Sequence, residues 1–215
     1  MESLSQNTSH AVMAQRFEPQ NSLDNFPTPP WATRAVLEKV IGHNDFPKQS
    51  CLEPACGAGH MSKVLKEYFE SVSSSDLYDY GYGQISDFIQ HSYPENSFDW
   101  VITNPPFKTA EQFVLKAIPV AKIGVAVLVR TGFLESVGRY RRLFQSFPPS
   151  FVAQFTERVP IVKGRLDIKA TTATGYAWCV WEKNEVIETR LKWIEPCRKS
   201  LERPKDYYEP ISSRY

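Results

Sequence analysis

The chain has 215 residues, 42% of them hydrophobic, which suits one well-buried domain and is short for two. A formal charge of +1 and a pI near 7.7 exclude a global field that would gather nucleic acid, so any polyanion site has to come from local clustering. Residues 1–25 carry no apolar signal-peptide core and no later run approaches the roughly 20 apolar residues of a membrane span, so a soluble, cytoplasmic protein is expected. Cys51, Cys56, Cys179 and Cys197 lack the paired spacing of zinc or redox sites; they read as free thiols, with no metal expected.

In chain order, residues 1–25 are polar and aperiodic and read as a flexible tail. Phe26-Pro27-Thr28-Pro29-Pro30-Trp31 is a turn and extended stretch, after which residues 31–41 show helical apolar spacing. Residues 51–54 form a short strand candidate that runs into Ala55-Cys56-Gly57-Ala58-Gly59-His60. Met61, Val64, Leu65 and Tyr68 then repeat at helical spacing, giving a strand, a glycine loop and a helix. A second strand is expected over residues 72–77 and a clearer one over 98–103, ending at Asn104-Pro105-Pro106-Phe107.

Residues 109–121 are again helical in spacing, and 123–129 form an aliphatic run of the kind a parallel strand covered on both faces shows. A helix over 134–147, closed by Pro148-Pro149, and a late strand over 175–182 complete the pattern. The order points to a Rossmann-like α/β fold, an open and mostly parallel sheet with helices on both faces, occupying residues 26–182. Residues 183–215 mix both charges with three prolines and read as a surface helix and an irregular tail.

The chemistry concentrates at strand ends. Gly57 and Gly59 stand where a glycine turn lets a cofactor approach the backbone beside a helix start. The loop lacks a Gly-Lys-Ser/Thr ending, and Ser62 replaces the third glycine of a dinucleotide fingerprint, so a cofactor without a pyrophosphate is indicated. Asp76, ending the second strand, can accept from both ribose hydroxyls, or be an ordinary strand-end aspartate. Asp87-Phe88 can accept from an adenine amino group and pack on its ring, or simply start a turn.

Asn104-Pro105-Pro106-Phe107 is the strongest signal. Two prolines make a rigid corner in which the Asn104 amide oxygen and the Pro105 carbonyl can be two acceptors aimed at one amino group, with Phe107 stacking on a base. That suits an exocyclic NH2, whose delocalised lone pair is a poor nucleophile until acceptors favour the pyramidal nitrogen.

These residues together resemble the adenine-N6 amino-methyltransferase family, over about residues 26–182. The resemblance implies a Rossmann-like fold and S-adenosylmethionine as methyl donor. By it, Phe26-Pro27-Thr28-Pro29-Pro30 looks like the segment that closes over the cofactor's methionine part, with Thr28 and Pro29 in contact. Leu52-Glu53-Pro54-Ala55-Cys56-Gly57-Ala58-Gly59 looks like the cofactor loop, Asp76 and Asp87-Phe88 occupy the ribose and adenine positions, and Asn104-Pro105-Pro106-Phe107 matches the catalytic tetrapeptide. The motif order is similar to the gamma group of DNA amino-methyltransferases, and Leu128-Val129-Arg130-Thr131-Gly132-Phe133-Leu134-Glu135 and Gly175-Tyr176-Ala177-Trp178-Cys179-Val180-Trp181 resemble segments of stand-alone, phage-type members.

Two departures are visible. Between Asp76 and Phe98 there is barely room for a helix and a third strand, so an abbreviated stretch is expected there. A long target-recognition domain is missing, and residues 130–169 are the stretch that could replace it. Within that stretch Arg130, Arg139, Arg141, Arg142, Arg158, Lys163, Arg165 and Lys169 could contact phosphates; a solvated helix face with a loop is the competing reading. The expected reaction is methyl transfer to adenine N6 in DNA. RNA adenine and the side-chain amide of protein glutamine are alternatives with the same chemistry, and an inactive cofactor-binding module is a third.

Overall fold

Pro30 opens the first helix, α1 (Pro30–Ala35), in the computed structural model of the protein, which describes residues 24–42, 45–183 and 188–207. Proline suits that place because its fixed φ is already helical and its missing N–H would have had no partner. The helix widens into a π-helical turn (Val36–Ile41) that stops at Gly42, whose φ of +87° L side chains rarely adopt. All of α1 is buried, and the Trp178 indole N–H donates to the Ala32 carbonyl at 3.0 Å. Of the expected polar tail, residues 1–23 lie outside the described residues, whereas Asp24 and Asn25 line a cleft together with Gly57, Asp76 and Asn104.

Strands β1 (Ser50–Glu53), β2 (Ser71–Asp76), β3 (Gln84–Ile85), β4 (Phe98–Thr103), β5 (Ala121–Arg130), β6 (Phe151–Phe155), β7 (Tyr176–Glu182) and β8 (Arg190–Ile194) form one sheet in the order β3-β2-β1-β4-β5-β7-β6-β8. Only β7 runs antiparallel to its neighbours β5 and β6. From β1 the chain moves outward to β2 and β3, then returns to β4 beside β1 and moves the other way. Adjacent strands whose connections leave in opposite directions splay their loops apart, so the crevice above β1 and β4 is the natural binding place of the fold.

Side-chain alternation along the central strands separates two cores. On β4, Trp100 and Ile102 face one layer and Val101 the other; on β5, Ala126 and Leu128 oppose Val125, Val127 and Val129. The first layer holds α1, α2 (His60–Leu65) and α5 (Arg198–Leu201), through Trp31, Met61, Leu65 and Leu201. The second holds α3 (Ala110–Val120) and the π-helical turn (Tyr140–Phe144) that follows α4 (Val137–Arg139), through Val114, Ala117 and Leu143. The expected open, mostly parallel sheet with helices on both faces is what forms.

Three segments differ from the sequence reading. Residues 134–147 do not make one helix from the start: a tight turn (Thr131–Leu134) precedes α4, and Ser136 caps α4 by accepting from the Arg139 amide. Strand β6 was not anticipated. The expected surface helix after residue 183 is replaced first by β8, which pairs parallel with β6, and only then by the short α5. In β8 charged and apolar residues alternate, but the apolar Leu191 and Trp193 are the exposed ones and only Ile194 is buried, so the alternation does not mark a core face.

This last segment is tied to the domain by a buried cation. Arg34, 1% exposed, donates to both oxygens of Glu67 (2.9 and 3.0 Å), both oxygens of Asp206 (2.7 and 2.9 Å) and the Leu201 carbonyl (2.9 Å). Between β2 and β4 the chain is abbreviated, as its length requires: among the described residues 77–97, β3 is the only regular element.

Candidate active site

The loops at the carboxyl ends of β1, β2 and β4 enclose a cleft of about 450 Å3, within the ~300–1,000 Å3 usual for small-molecule sites. The bend after β1 forms its floor. Gly57 and Gly59 take φ of +50° and +79°, and the Cys56 amide donates across to the Ser75 carbonyl at 2.9 Å, holding the bend against the end of β2. Asp76 completes that joint: its Oδ2 accepts from the Gly57 amide at 2.8 Å and its Oδ1 from the Tyr78 amide at 3.2 Å. A carboxylate has about four acceptor positions, so capacity toward the cleft remains.

Glu53 sits at the foot of the bend, 2% exposed, with Ser62 donating to it and Ser62 in turn 2.6 Å from Ser74. Burial pushes its carboxyl up to about 8, more than the Ser62 hydrogen bond offsets, and the nearby Asp76 charge adds to the rise. At neutral pH Glu53 is therefore mostly a neutral acid. Cys56 is likewise kept as a thiol, pushed up to about 12 chiefly by burial, which removes it as a nucleophile.

The remaining wall is the corner after β4. Asn104 Nδ2 donates to the Phe26 carbonyl at 2.8 Å, and because that acceptor fixes which end of the amide faces it, Oδ1 points the other way. Oδ1 is buried and makes no hydrogen bond, as is the Thr28 hydroxyl; both residues line the cleft. An unpaired buried polar atom costs roughly 1–3 kcal/mol, so two such atoms on residues that line one cleft suit a ligand that supplies the missing partners. Asp24 braces the corner by accepting from the Phe107 amide at 2.6 Å, and Thr109 donates to the Pro106 carbonyl at 3.0 Å as α3 begins.

Of the residues singled out in the sequence, Thr28, Glu53, Pro54, Ala55, Cys56, Gly57, Asp76, Asp87, Phe88, Asn104 and Pro106 line the cleft together. Four do not. Pro29 caps α1 through its carbonyl (Ala32 amide, 2.9 Å), and Pro105 is buried. Gly59 lies under the Tyr82 ring, which would meet an added Cβ at 2.5 Å. Phe107 is covered by Phe26 and Arg130. Asp87 also has a local duty: its Oδ1 accepts from the amides of Ile89 (2.9 Å) and Gln90 (3.2 Å), as a turn-starting aspartate does. Phe88 packs on Phe113 (5.1 Å between centroids) and Tyr93 (5.6 Å), so it is a core residue whose edge reaches the cleft.

Sequence reasoning missed Asp24, which it placed in the tail, and Tyr78 and Tyr80, which line the cleft just past β2. An aromatic cluster directly after a strand that ends in Asp76 was the available signal. The basic stretch divides in two. Because β5 ends at Arg130 opposite the first residue of β7, the connection over residues 156–175 lies along the cleft edge of the sheet, with Arg158, Lys163, Arg165 and Lys169 in it. Arg142, by contrast, is engaged by Glu111 through two hydrogen bonds of 2.5 and 2.9 Å and holds that carboxyl below its ordinary value. Arg139 lies over the Phe133 ring at 4.1 Å and donates to the Phe133 carbonyl, while Arg141 is exposed. Among the described residues no cluster of three metal-ligating side chains occurs and no helix is long and apolar enough to cross a membrane. The four cysteines are free and buried.

This sheet order, with one antiparallel strand next to β5 and a glycine bend after β1, defines the class I S-adenosylmethionine-dependent methyltransferase fold. Solved structures agree. The chain is similar to a candidate class I S-adenosylmethionine-dependent methyltransferase from Listeria monocytogenes (16% identity, TM-score 0.58, covering 91% of this chain and 72% of that one). It is similar to a candidate RNA methyltransferase from Pyrococcus horikoshii (15%, TM-score 0.58, 80% and 95%). A third is the modification subunit of a candidate type I restriction enzyme from Vibrio vulnificus (15%, TM-score 0.58), where the match covers 92% of this chain and 53% of that one. No family model and no curated protein matches the sequence.

Proposed function

We propose that the protein is an S-adenosylmethionine-dependent N-methyltransferase that modifies an exocyclic amino nitrogen, adenine N6 in DNA. The observation that carries this reading is the Asn104 amide, on a residue that lines the cleft, whose nitrogen is taken by Phe26 and whose oxygen is left buried and unpartnered. A group held in this way accepts hydrogen bonds and offers none, which is what an NH2 substrate requires.

The residues present fit the cofactor. The bend around Gly57 lets it approach the backbone, Asp76 would accept from its ribose hydroxyls, Asp87 and Phe88 would meet its adenine, and Thr28 with Pro27 would close over its methionine end. When bound, it would supply a methyl group on a positively charged sulfur. Asn104 Oδ1 accepts one hydrogen of the target amine, so the lone pair turns out of conjugation and the charge that develops on nitrogen meets a fixed dipole; the resemblance gives the second acceptor to the Pro105 carbonyl, which lies off the cleft wall and which the amine would have to reach past Pro106. Rigidity at the diproline corner means little reorganisation is needed at that moment.

DNA is supported by the tetrapeptide's resemblance and by the basic residues over 156–175 along the cleft edge. The restriction-modification subunit among similar folds agrees with it. A duplex target would have to rotate its base out of the helix, at a cost of a few kcal/mol. The test is product analysis after incubation with methyl-labelled cofactor and separate DNA, RNA and protein substrates. N6-methyladenine in DNA is the expected product; methyladenine confined to RNA, or methylglutamine, would overturn the DNA assignment, and no transfer to any polymer would overturn the enzyme.

A further inference from the structure

Phe107 is half-buried, yet its ring is not on the wall of the cleft that Asn104 and Pro106 line. The cause lies above it. The Arg130 guanidinium carbon stands 3.9 Å from the centroid of the Phe107 ring and 5.4 Å from that of Phe26, and the two rings are 5.2 Å apart. Tyr176 flanks the group, with its ring centroid 6.3 Å from that of Phe107. The Arg130 backbone is fixed in the ladder opposite Tyr176, while its side chain is exposed, so the guanidinium can leave without disturbing the sheet.

We propose that Arg130 is a gate over the stacking face of Phe107 that makes the site select a base carried on a phosphodiester chain over the same base free in solution. The proposal rests on the nucleic-acid reading above. A flat base and a guanidinium stack on a phenyl ring at similar distances, so they compete for one face. A neutral nucleoside has to break the cation–π contact and gives the displaced guanidinium nothing in return. A nucleotide within a strand brings phosphates a few ångströms from its base, and these offer the displaced Arg130 charge-assisted, bidentate hydrogen bonds. Entry of the correct substrate class thus opens the gate, and entry of a free base or a neutral amide does not.

The test uses the full chain and two fluorescent probes: 2-aminopurine deoxyriboside, and a single-stranded oligonucleotide carrying one 2-aminopurine, whose emission falls on stacking. Arg130→Ala is expected to bind the deoxyriboside about threefold more tightly than the wild type. It is expected to bind the oligonucleotide more weakly, with the slope of log affinity against log salt reduced by about one. Arg130→Gln, neutral but similar in reach, should move both probes in the same two directions, which guards against a packing defect in the alanine variant. Parallel weakening of both probes in both variants, or variants that match the wild type, would overturn the gate alone. Wild-type protein that binds S-adenosylmethionine but neither probe would overturn the gate and the nucleic-acid reading together.

Discussion

Asn104 and Phe26, 78 residues apart in the chain, are joined by one hydrogen bond from Nδ2 to a main-chain carbonyl at 2.8 Å. The bond couples the proline segment before α1 to the corner after β4, so a segment that lines the cleft also orients the group proposed to receive the amine. Asn104→Ala is expected to lower methyl transfer at least about a hundredfold, the usual effect of removing one aligned polar group from a transition state. Cofactor affinity, measured by calorimetry, should stay nearly intact. Asn104→Asp should be equally inactive, because a carboxylate cannot donate to the Phe26 carbonyl. Turnover equal to wild type in either variant would show the corner to be structural.

Glu53 gives the molecule a pH-dependent stability. Its carboxyl stands at about 8 in the folded protein against an ordinary 4.5, so the folded state binds the proton that the unfolded state has already released. A raised folded value contributes stability that is full below about 4.5, declines as pH climbs and is gone above about 8. Glu53→Gln keeps the shape without the titration. Urea midpoints taken from pH 5 to 9 should therefore show the variant gaining on the wild type up to about pH 8 and running parallel beyond it. Parallel curves across the whole range would mean that Glu53 is ionised in the fold.

Arg34, unlike Glu53, is buried in its charged form, and here removal rather than titration is the test. With its guanidinium 1% exposed and shared between Glu67 and Asp206, Arg34→Met strands the Asp206 carboxylate, itself 5% exposed. Removing one member of a buried ion pair costs about 3–5 kcal/mol, far above a surface pair. Chemical denaturation should register that loss, and a paired Arg34→Met/Asp206→Leu variant should regain part of it. A loss under about 1 kcal/mol would show that water enters the cluster.

The basic residues over 130–169 should separate into two groups in a salt titration of DNA binding. Arg158→Ala and Arg165→Ala, on the connection along the cleft edge, are each expected to reduce the salt slope by about one, since Arg158 donates to the Ala173 carbonyl (3.1 Å) and Arg165 makes a single-bond surface pair with Asp167 (3.1 Å), contacts that a phosphate can displace. Arg142→Ala should leave it unchanged, since that guanidinium already serves Glu111 at 2.5 and 2.9 Å. Equal slopes for all three variants would dissociate this edge from the phosphate backbone.

Residues 50–130 announce themselves locally, because a strand, a bend that needs positive φ and a helix, or an aliphatic strand ending at two prolines, are dictated by neighbours in sequence. The glycine bend after β1 and the Asn104-Pro105-Pro106-Phe107 corner could be read from the residues alone for that reason, as could the abbreviated stretch after Asp76. The edge strand β8 could not, since its residues pair with β6 some 40 positions earlier and keep Leu191 and Trp193 exposed. Nor could Asp24, whose role depends on meeting the Phe107 amide 83 residues away. Only the folded chain decides which end of the Asn104 amide is taken by the Phe26 carbonyl, that Arg130 lies over Phe107, and which arginines are held by carboxylates. Those are outcomes of distances between elements, and a linear pattern specifies the elements without specifying what their side chains meet.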